Sequence, residues 1–141
     1  MEHEFSSEAS THPIILFDGV CNLCNSSVQF ILKRDGTGKF RFSSLQSEFS
    51  KEMLKRYNLP VDYLESIILL HNGKIYTSSD AVIEILNHLG GFYKLFSVFK
   101  IIPKFLREPL YKFIARNRYR WFGRKDSCMV PEARFEELFL I

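Results

Sequence analysis

Ile14-Ile15-Leu16-Phe17-Asp18-Gly19-Val20-Cys21-Asn22-Leu23-Cys24 is the stretch on which the reading of this chain turns. A short, continuous apolar run ends at an acid and a glycine. Two cysteines follow with two residues between them, and then comes the amphipathic segment Asn25–Arg34. That order describes a buried strand, a tight turn and a helix whose first turn carries both thiols. The start of a helix offers unpaired N–H groups and the positive end of its dipole, so a thiolate is stabilised there.

On the N-terminal side, Met1–His12 is acidic and polar and shows no periodicity, which predicts a disordered tail. It has neither the basic nor the apolar region of a signal peptide, and no apolar run in the chain reaches transmembrane length, so the expectation is a cytoplasmic protein. Pro13 opens the first strand, Ile14–Phe17, which is apolar on both faces as a central parallel strand should be.

On the C-terminal side, Cys24, Val28, Ile31 and Leu32 fall on one helical face, and Gly36 and Gly38 stop the helix. Phe40-Arg41-Phe42-Ser43 alternates as a strand. The strand–helix–strand order predicts a parallel pair with a right-handed crossover. Phe49, Met53 and Tyr57 mark a second helix from about Gln46 to Tyr57, and Ser66–Leu70 a third strand. The Asn72-Gly73 turn predicts a hairpin that pairs Ile75–Thr77 with it. Ser78, Ser79 and Asp80 are candidate caps for a third helix, with Val82, Ile85, Leu86 and Leu89 on its apolar stripe and Gly90-Gly91 closing it.

The order β-α-β-α-β-β-α predicts an α/β fold, a four-stranded mixed sheet with helices on both faces. Beyond it, Phe92–Ile102 and Lys104–Ala115 are amphipathic and aromatic, with Pro103 and Pro109 placed as helix starts, and Pro131–Ile141 reads as a last helix burying Phe135, Leu138 and Phe139. The expected organisation is one domain over residues 13–141, with a core at 13–91 and a helical extension at 92–141.

Composition narrows the function. A chain of 141 residues with three cysteines is large enough for a real core and too poor in cysteine for a disulfide scaffold. Fourteen Phe predict a dense core or apolar surface held in reserve, and a net charge of +3 does not by itself indicate nucleic acid or membrane.

The chemistry therefore centres on the cysteine pair. Cys21, nearest the helix start, is the expected attacking thiol, open to solvent; Cys24, one turn in on the apolar face, is the expected resolving thiol. Asp18, three residues before Cys21, is the candidate general base for Cys24, and an equally natural turn-forming residue. An apolar strand ending in Asp also resembles the haloacid-dehalogenase phosphatase motif, but Val20 stands where the second Asp is needed, which excludes it.

The rival from another class is a zinc set of Cys21, Cys24 and Cys128 with His71 or His88. Between Lys100 and Lys125 there are nine Lys or Arg and one acid, Glu108. Within that stretch Trp121 and Phe122 are expected to pack as core while the arginines face water, with a subset near the thiols. Arg118, Arg120, Trp121 and Arg124 are the candidate substrate contacts, Cys128 is a candidate third thiol, and the basic aromatic stretch is a candidate membrane contact.

Asp18-Gly19-x-Cys21-x-x-Cys24, then Leu45-Gln46-Ser47-Glu48, then Arg116-Asn117-Arg118-Tyr119-x-Trp121-Phe122-Gly123-Arg124 and Cys128 resemble, in order and over nearly the whole chain from Pro13, the DCC family of predicted thiol–disulfide oxidoreductases. The resemblance implies a thioredoxin-like fold with the family's dithiol at Cys21 and Cys24 and its leading acid at Asp18. Thioredoxins proper carry Trp before the first cysteine, Gly-Pro between the two and a cis-proline before the third strand. Here Val20, Asn22-Leu23 and Leu64-Glu65-Ser66-Ile67 stand at those places. The expected activity is thiol–disulfide exchange without metal or organic cofactor. The expected partners are a disulfide-bearing protein or small thiol and a reductant such as glutathione or a thioredoxin-type reductase, with no nucleic acid.

Overall fold

The structure, a computed structural model, describes residues 12–35, 39–59 and 67–123. The expectations for Met1–Thr11, Gly36, Gly38, Leu64–Ser66, Arg124, Cys128 and the helix at Pro131–Ile141 lie outside the described residues.

Among the described residues nine elements follow one another: β1 (Ile14–Phe17), α1 (Asn22–Arg34), β2 (Arg41–Ser44), α2 (Glu48–Arg56), β3 (Ile68–His71), β4 (Lys74–Thr77), α3 (Ser78–Leu89), a 3-10 helix (Gly91–Ile101) and α4 (Lys104–Phe122). The strands form one sheet in the order β2-β1-β3-β4. β1 runs parallel to β2, with Ile14 opposite Arg41, and antiparallel to β3, with Ile14 opposite Leu70; β3 and β4 are antiparallel. This is the expected mixed sheet of an α/β fold.

Alternation along β1 divides the core. Ile15 and Phe17 pack with Val28, Ile31 and Leu32 of α1 and with Ala81 and Ile85 of α3. Ile14 and Leu16 point the other way, into Phe49, Met53 and Leu54 of α2. Both faces of the central strands are thus covered, which is why β1 reads as an unbroken apolar run. The hairpin is formed as expected, with left-handed backbone at Asn72 (φ 51°) and Gly73 (φ 75°).

The C-terminal third departs from expectation in three ways. The segment after Gly90 is a 3-10 helix of 11 residues. Pro109 does not start a helix: α4 begins at Lys104, behind Pro103, and carries Pro109 inside it. Instead of ending at Ala115, α4 runs on to Phe122 and takes up the basic stretch. The residues expected to cap α3 serve another purpose. Ser79 donates to Glu108, and Asp80 pairs with Lys104 at 2.7 Å and Arg107 at 2.9 Å, so the start of α3 docks the start of α4. These contacts, with packing of α4 on α1 and α3, bring its far end over the edge of the sheet where β1 delivers Asp18.

Candidate functional site at the cysteine pair

The turn after β1 is built around Gly19. Cys21 N–H donates to the Asp18 carbonyl at 3.2 Å, closing the turn. A Cβ on Gly19 would lie 2.7 Å from Ser44 Oγ, so only glycine lets the turn sit against the end of β2. Gln46 ties the two together: its Oε1 accepts from Gly19 N–H at 3.0 Å and its Nε2 donates to Asp18 Oδ1 at 2.8 Å. From the far side, Asn25 Nδ2 donates to the Gly19 carbonyl at 3.0 Å.

Cys21 is the N-cap of α1. Its backbone is extended, and its Sγ accepts the Cys24 N–H at 3.3 Å. A sulfur here takes the place of the usual cap oxygen, and any negative charge on it is met by a helix N–H and by the dipole. α1 has no acid in its first turn and carries Lys33 and Arg34 in its last, the arrangement that complements the dipole at both ends.

Cys24 sits one turn on. Burial, then the hydrogen bond with Cys21 and the charge of Cys21, push its thiol up to about 12; the Arg118 guanidinium works against this and the Asp18 carboxylate adds to it. Cys24 is therefore the sulfur that keeps its proton.

Accessibility reverses the expected order. Cys21 is buried with 0% exposure, and Cys24 is only half-buried. The expectation that the leading thiol is open to solvent is thus corrected. Next to it, Asn22 Nδ2 donates to the Phe122 carbonyl at 2.8 Å and Asn22 N–H to the Gly123 carbonyl at 3.3 Å, so the end of α4 rests on the residue after Cys21.

Asp18 is 2% exposed. Its Oδ1 accepts from Val20 N–H at 3.2 Å and from Gln46, and its Oδ2 from Arg118 at 3.1 Å and from the Tyr119 hydroxyl. Burial raises its pKa, but the bonds from Tyr119, Gln46, Arg118 and Val20 outweigh it and hold the carboxyl below its ordinary range. Tyr119 shifts the other way, raised by burial and by its bond to Asp18, and stays a donor. A carboxylate with lowered pKa and four donors on it is poorly suited to take a proton from Cys24. The bond from Val20 N–H fits the turn-forming reading of Asp18, and the same carboxylate also holds Arg118.

Of the other candidates among the described residues, Arg118 alone reaches the site. Arg120 is exposed, and Trp121, expected in the core, is 51% exposed and stacks edge-on with Phe113 at 5.5 Å. Phe122 is likewise exposed. Gln46, Tyr119 and Asn22 had no assigned role; the only signal for the first two was their place inside the shared motifs.

Neither histidine of the expected zinc set lies beside the cysteine pair. His71 lies beyond Ile14 at the opposite end of β1 from the cysteines, and His88 packs against it with ring centres 4.8 Å apart. The length of the strand, about 10 Å, separates them from the thiols. Among the described residues no group of three or more His, Cys, Asp or Glu is placed to hold a metal.

A four-stranded mixed sheet of thioredoxin-like type, with a cysteine pair at the start of the helix that follows its central strand, defines the class: a thioredoxin-like dithiol protein. The chain belongs to the family described as DCC1-like thiol-disulfide oxidoreductase, whose profile matches residues 15–124. It is 47% identical over 135 residues to the uncharacterized protein YuxK of Bacillus subtilis (strain 168), covering 96% of this chain and 98% of that one. It is 42% identical over 122 residues to a chloroplastic DCC family protein of Arabidopsis thaliana, covering 86% and 71%. No solved structure matches. The family supports thiol–disulfide chemistry in general. No helix among the described residues is long and apolar enough to cross a membrane.

Proposed function

We propose that the protein is a thiol–disulfide oxidoreductase that works through Cys21 and Cys24. The observation that carries this is the cap: Cys21 Sγ receives a helix N–H, while its neighbour one turn on is held as a thiol. A dithiol with one stabilised charge and one retained proton is set up for exchange, because exchange needs a thiolate on one sulfur and a good leaving group in the bond that breaks. Asp18 acts as a positioning residue: it fixes Arg118, whose charge offsets the burial of Cys24. Two electrons and two protons pass between the pair and a substrate disulfide, with a cellular thiol as the second partner.

The test is a thiol count on full-length protein equilibrated across glutathione buffers, with metal analysis on the same samples. Reversible loss of two thiols per chain without metal supports exchange, and replacing either Cys21 or Cys24 by Ser must abolish it. Stoichiometric zinc that protects the thiols would refute it.

A further inference from the structure

The wall between α1, α3 and α4 encloses a cavity of about 460 Å³. Phe30 and Ile31 line it from α1, Ile85 and Leu86 from α3 and Ile114 from α4, and Cys24 is part of the wall beside Arg118. Cys21 is not. The reachable sulfur and the sulfur served by the helix N–H are therefore two different atoms. Resting on the exchange reading above, we propose that this cavity is the substrate entrance, that the substrate is a thiol or disulfide carried on an unbranched apolar arm, and that it bonds to Cys24, with Cys21 as the resolving and leaving sulfur.

Three observations support this. First, an incoming thiolate in the cavity meets Cys24. The Cys21–Cys24 bond breaks, a new S–S bond forms to Cys24, and Cys21 leaves as a thiolate onto the N–H that caps it. Access and leaving-group quality then favour the same step. A second thiol attacks the mixed disulfide, Cys24 takes a proton from solvent, and two thiols have become one disulfide while the pair has gained two electrons. The reverse sequence reduces a substrate disulfide.

Second, the wall is mostly apolar, its polar side chains being Asp18 and Arg118 near Cys24 and the hydroxyls of Ser26, Ser27 and Tyr111, and each methylene buried against the apolar part adds binding free energy. Third, glutathione would bring two carboxylates, an ammonium and two peptide groups against a wall whose few polar side chains, Arg118 and Asp18 at one end and the hydroxyls of Ser26, Ser27 and Tyr111, are too few to pair with them all. An arm of six carbons or so, ending in sulfur, fits such a wall.

The experiment uses full-length protein oxidised to the Cys21–Cys24 disulfide. Its opening by mercaptoethanol, mercaptohexanol and glutathione is followed by mass spectrometry, each rate divided by that thiol's rate with a free aromatic disulfide. Mercaptohexanol should be favoured over both others by about tenfold or more, for four extra methylenes partly buried. Ala115→Trp, which fills the cavity from α4, should remove that preference by slowing mercaptohexanol more than mercaptoethanol. Ser27→Trp should do the same from α1, and Leu110→Trp, outside the cavity, should do nothing.

Treated in the reduced form with the symmetrical disulfide of mercaptohexanol, Cys21→Ser should trap a mercaptohexyl group on Cys24 with release of one mercaptohexanol, and Cys24→Ser should form the adduct at least tenfold more slowly. Equal normalised rates for the three thiols, or trapping by Cys24→Ser in place of Cys21→Ser, would overturn the inference. Sulfur-free octanol separates the two readings: it should slow alkylation of Cys24 by iodoacetamide in the reduced protein and lose that effect in Ala115→Trp. Octanol protection without disulfide exchange would sink the exchange reading and keep the cavity as an apolar site; exchange without protection would sink the cavity.

Discussion

Replacing Asp18 by Asn preserves the shape of the side chain and removes its charge. All four contacts to Asp18 are donors, two on each oxygen: Val20 N–H and Gln46 Nε2 on Oδ1, Arg118 and Tyr119 on Oδ2. Whichever way an Asn amide is turned, its NH2 faces two donors. Arg118, whose side chain is only 11% exposed, also loses its anion. Breaking a buried pair from one side costs about 3–5 kcal/mol, a large share of the roughly 5–15 kcal/mol that a domain has in total. In urea, with a slope near 2 kcal/mol/M, the midpoint should fall by about 1.5–2.5 M at unchanged slope. Adding Arg118→Met should recover at least about 1 kcal/mol, because the stranded cation is then gone. The pH dependence has a definite sign. The Asp18 pKa is lowered in the folded protein, so its contribution is complete above the ordinary carboxyl value of about 3.9 and is lost as pH falls through the folded value beneath it. The stability gap between wild type and Asp18→Asn should be flat from about pH 5 to pH 8 and close only below about pH 4. A gap under about 1 kcal/mol at neutral pH, or one that closes above pH 5, would refute the anchor.

Four further outcomes are expected. In reduced wild type, alkylation of Cys24 should keep rising about tenfold per pH unit up to at least pH 10, since its thiol is pushed up to about 12; a plateau near pH 8 would show an ordinary thiol. Asn22→Ala removes the 2.8 Å bond to the Phe122 carbonyl, worth about 0.5–1.5 kcal/mol, and should speed alkylation of the buried Cys21 by roughly two- to tenfold, read by peptide mass spectrometry. Asp80→Ala leaves Lys104 and Arg107 without their shared partner and should cost about 1 kcal/mol in chemical denaturation, less in high salt. Leu95, Ile101, Phe105 and Leu110 stand 62–78% exposed beside Lys94, Lys112 and Arg116. That surface should co-sediment with anionic vesicles and release from them in salt, and Phe105→Asp should weaken the binding.

The sheet was legible because its signals are local. The strand at Ile14–Phe17, the Asn72-Gly73 hairpin and the helical stripe of Val28, Ile31 and Leu32 each follow from backbone and burial rules acting over a few residues. The stripe of α3 is apolar as expected, but its residues meet different surroundings. Ile85 lies in the core and also touches the cavity, whereas Val82, 37% exposed, and Leu86 form part of the cavity wall. Periodicity tells which face is apolar and not what that face meets. The cysteine pair was legible as a pair, and its exposure was not. Helical order alone puts Cys21 nearer solvent, but the burial of Cys21 goes with the end of α4, about 100 residues further on, which rests on Asn22. The same long-range docking turned Arg118 and Tyr119 inward and Trp121 outward, against the hydropathy of those residues, because Asp18 is a buried anion that only donors can satisfy.

That buried anion also constrains where the protons go. With every Asp18 oxygen taken by two donors, the carboxylate has no lone pair aimed at sulfur that is not already in use, and its lowered pKa gives a proton little reason to move there. The nearest group that gains by accepting the Cys24 proton is the Cys21 sulfur itself, already bonded to the Cys24 backbone N–H at 3.3 Å. Arg118 works on the other partner: its charge favours the Cys24 thiolate, while its bond to Asp18 keeps it from turning into solvent. A loss of exchange rate in Arg118→Met that is larger than in Tyr119→Phe, at equal stability, would be the signature of that charge, because Tyr119 shares the Asp18 contact and brings none.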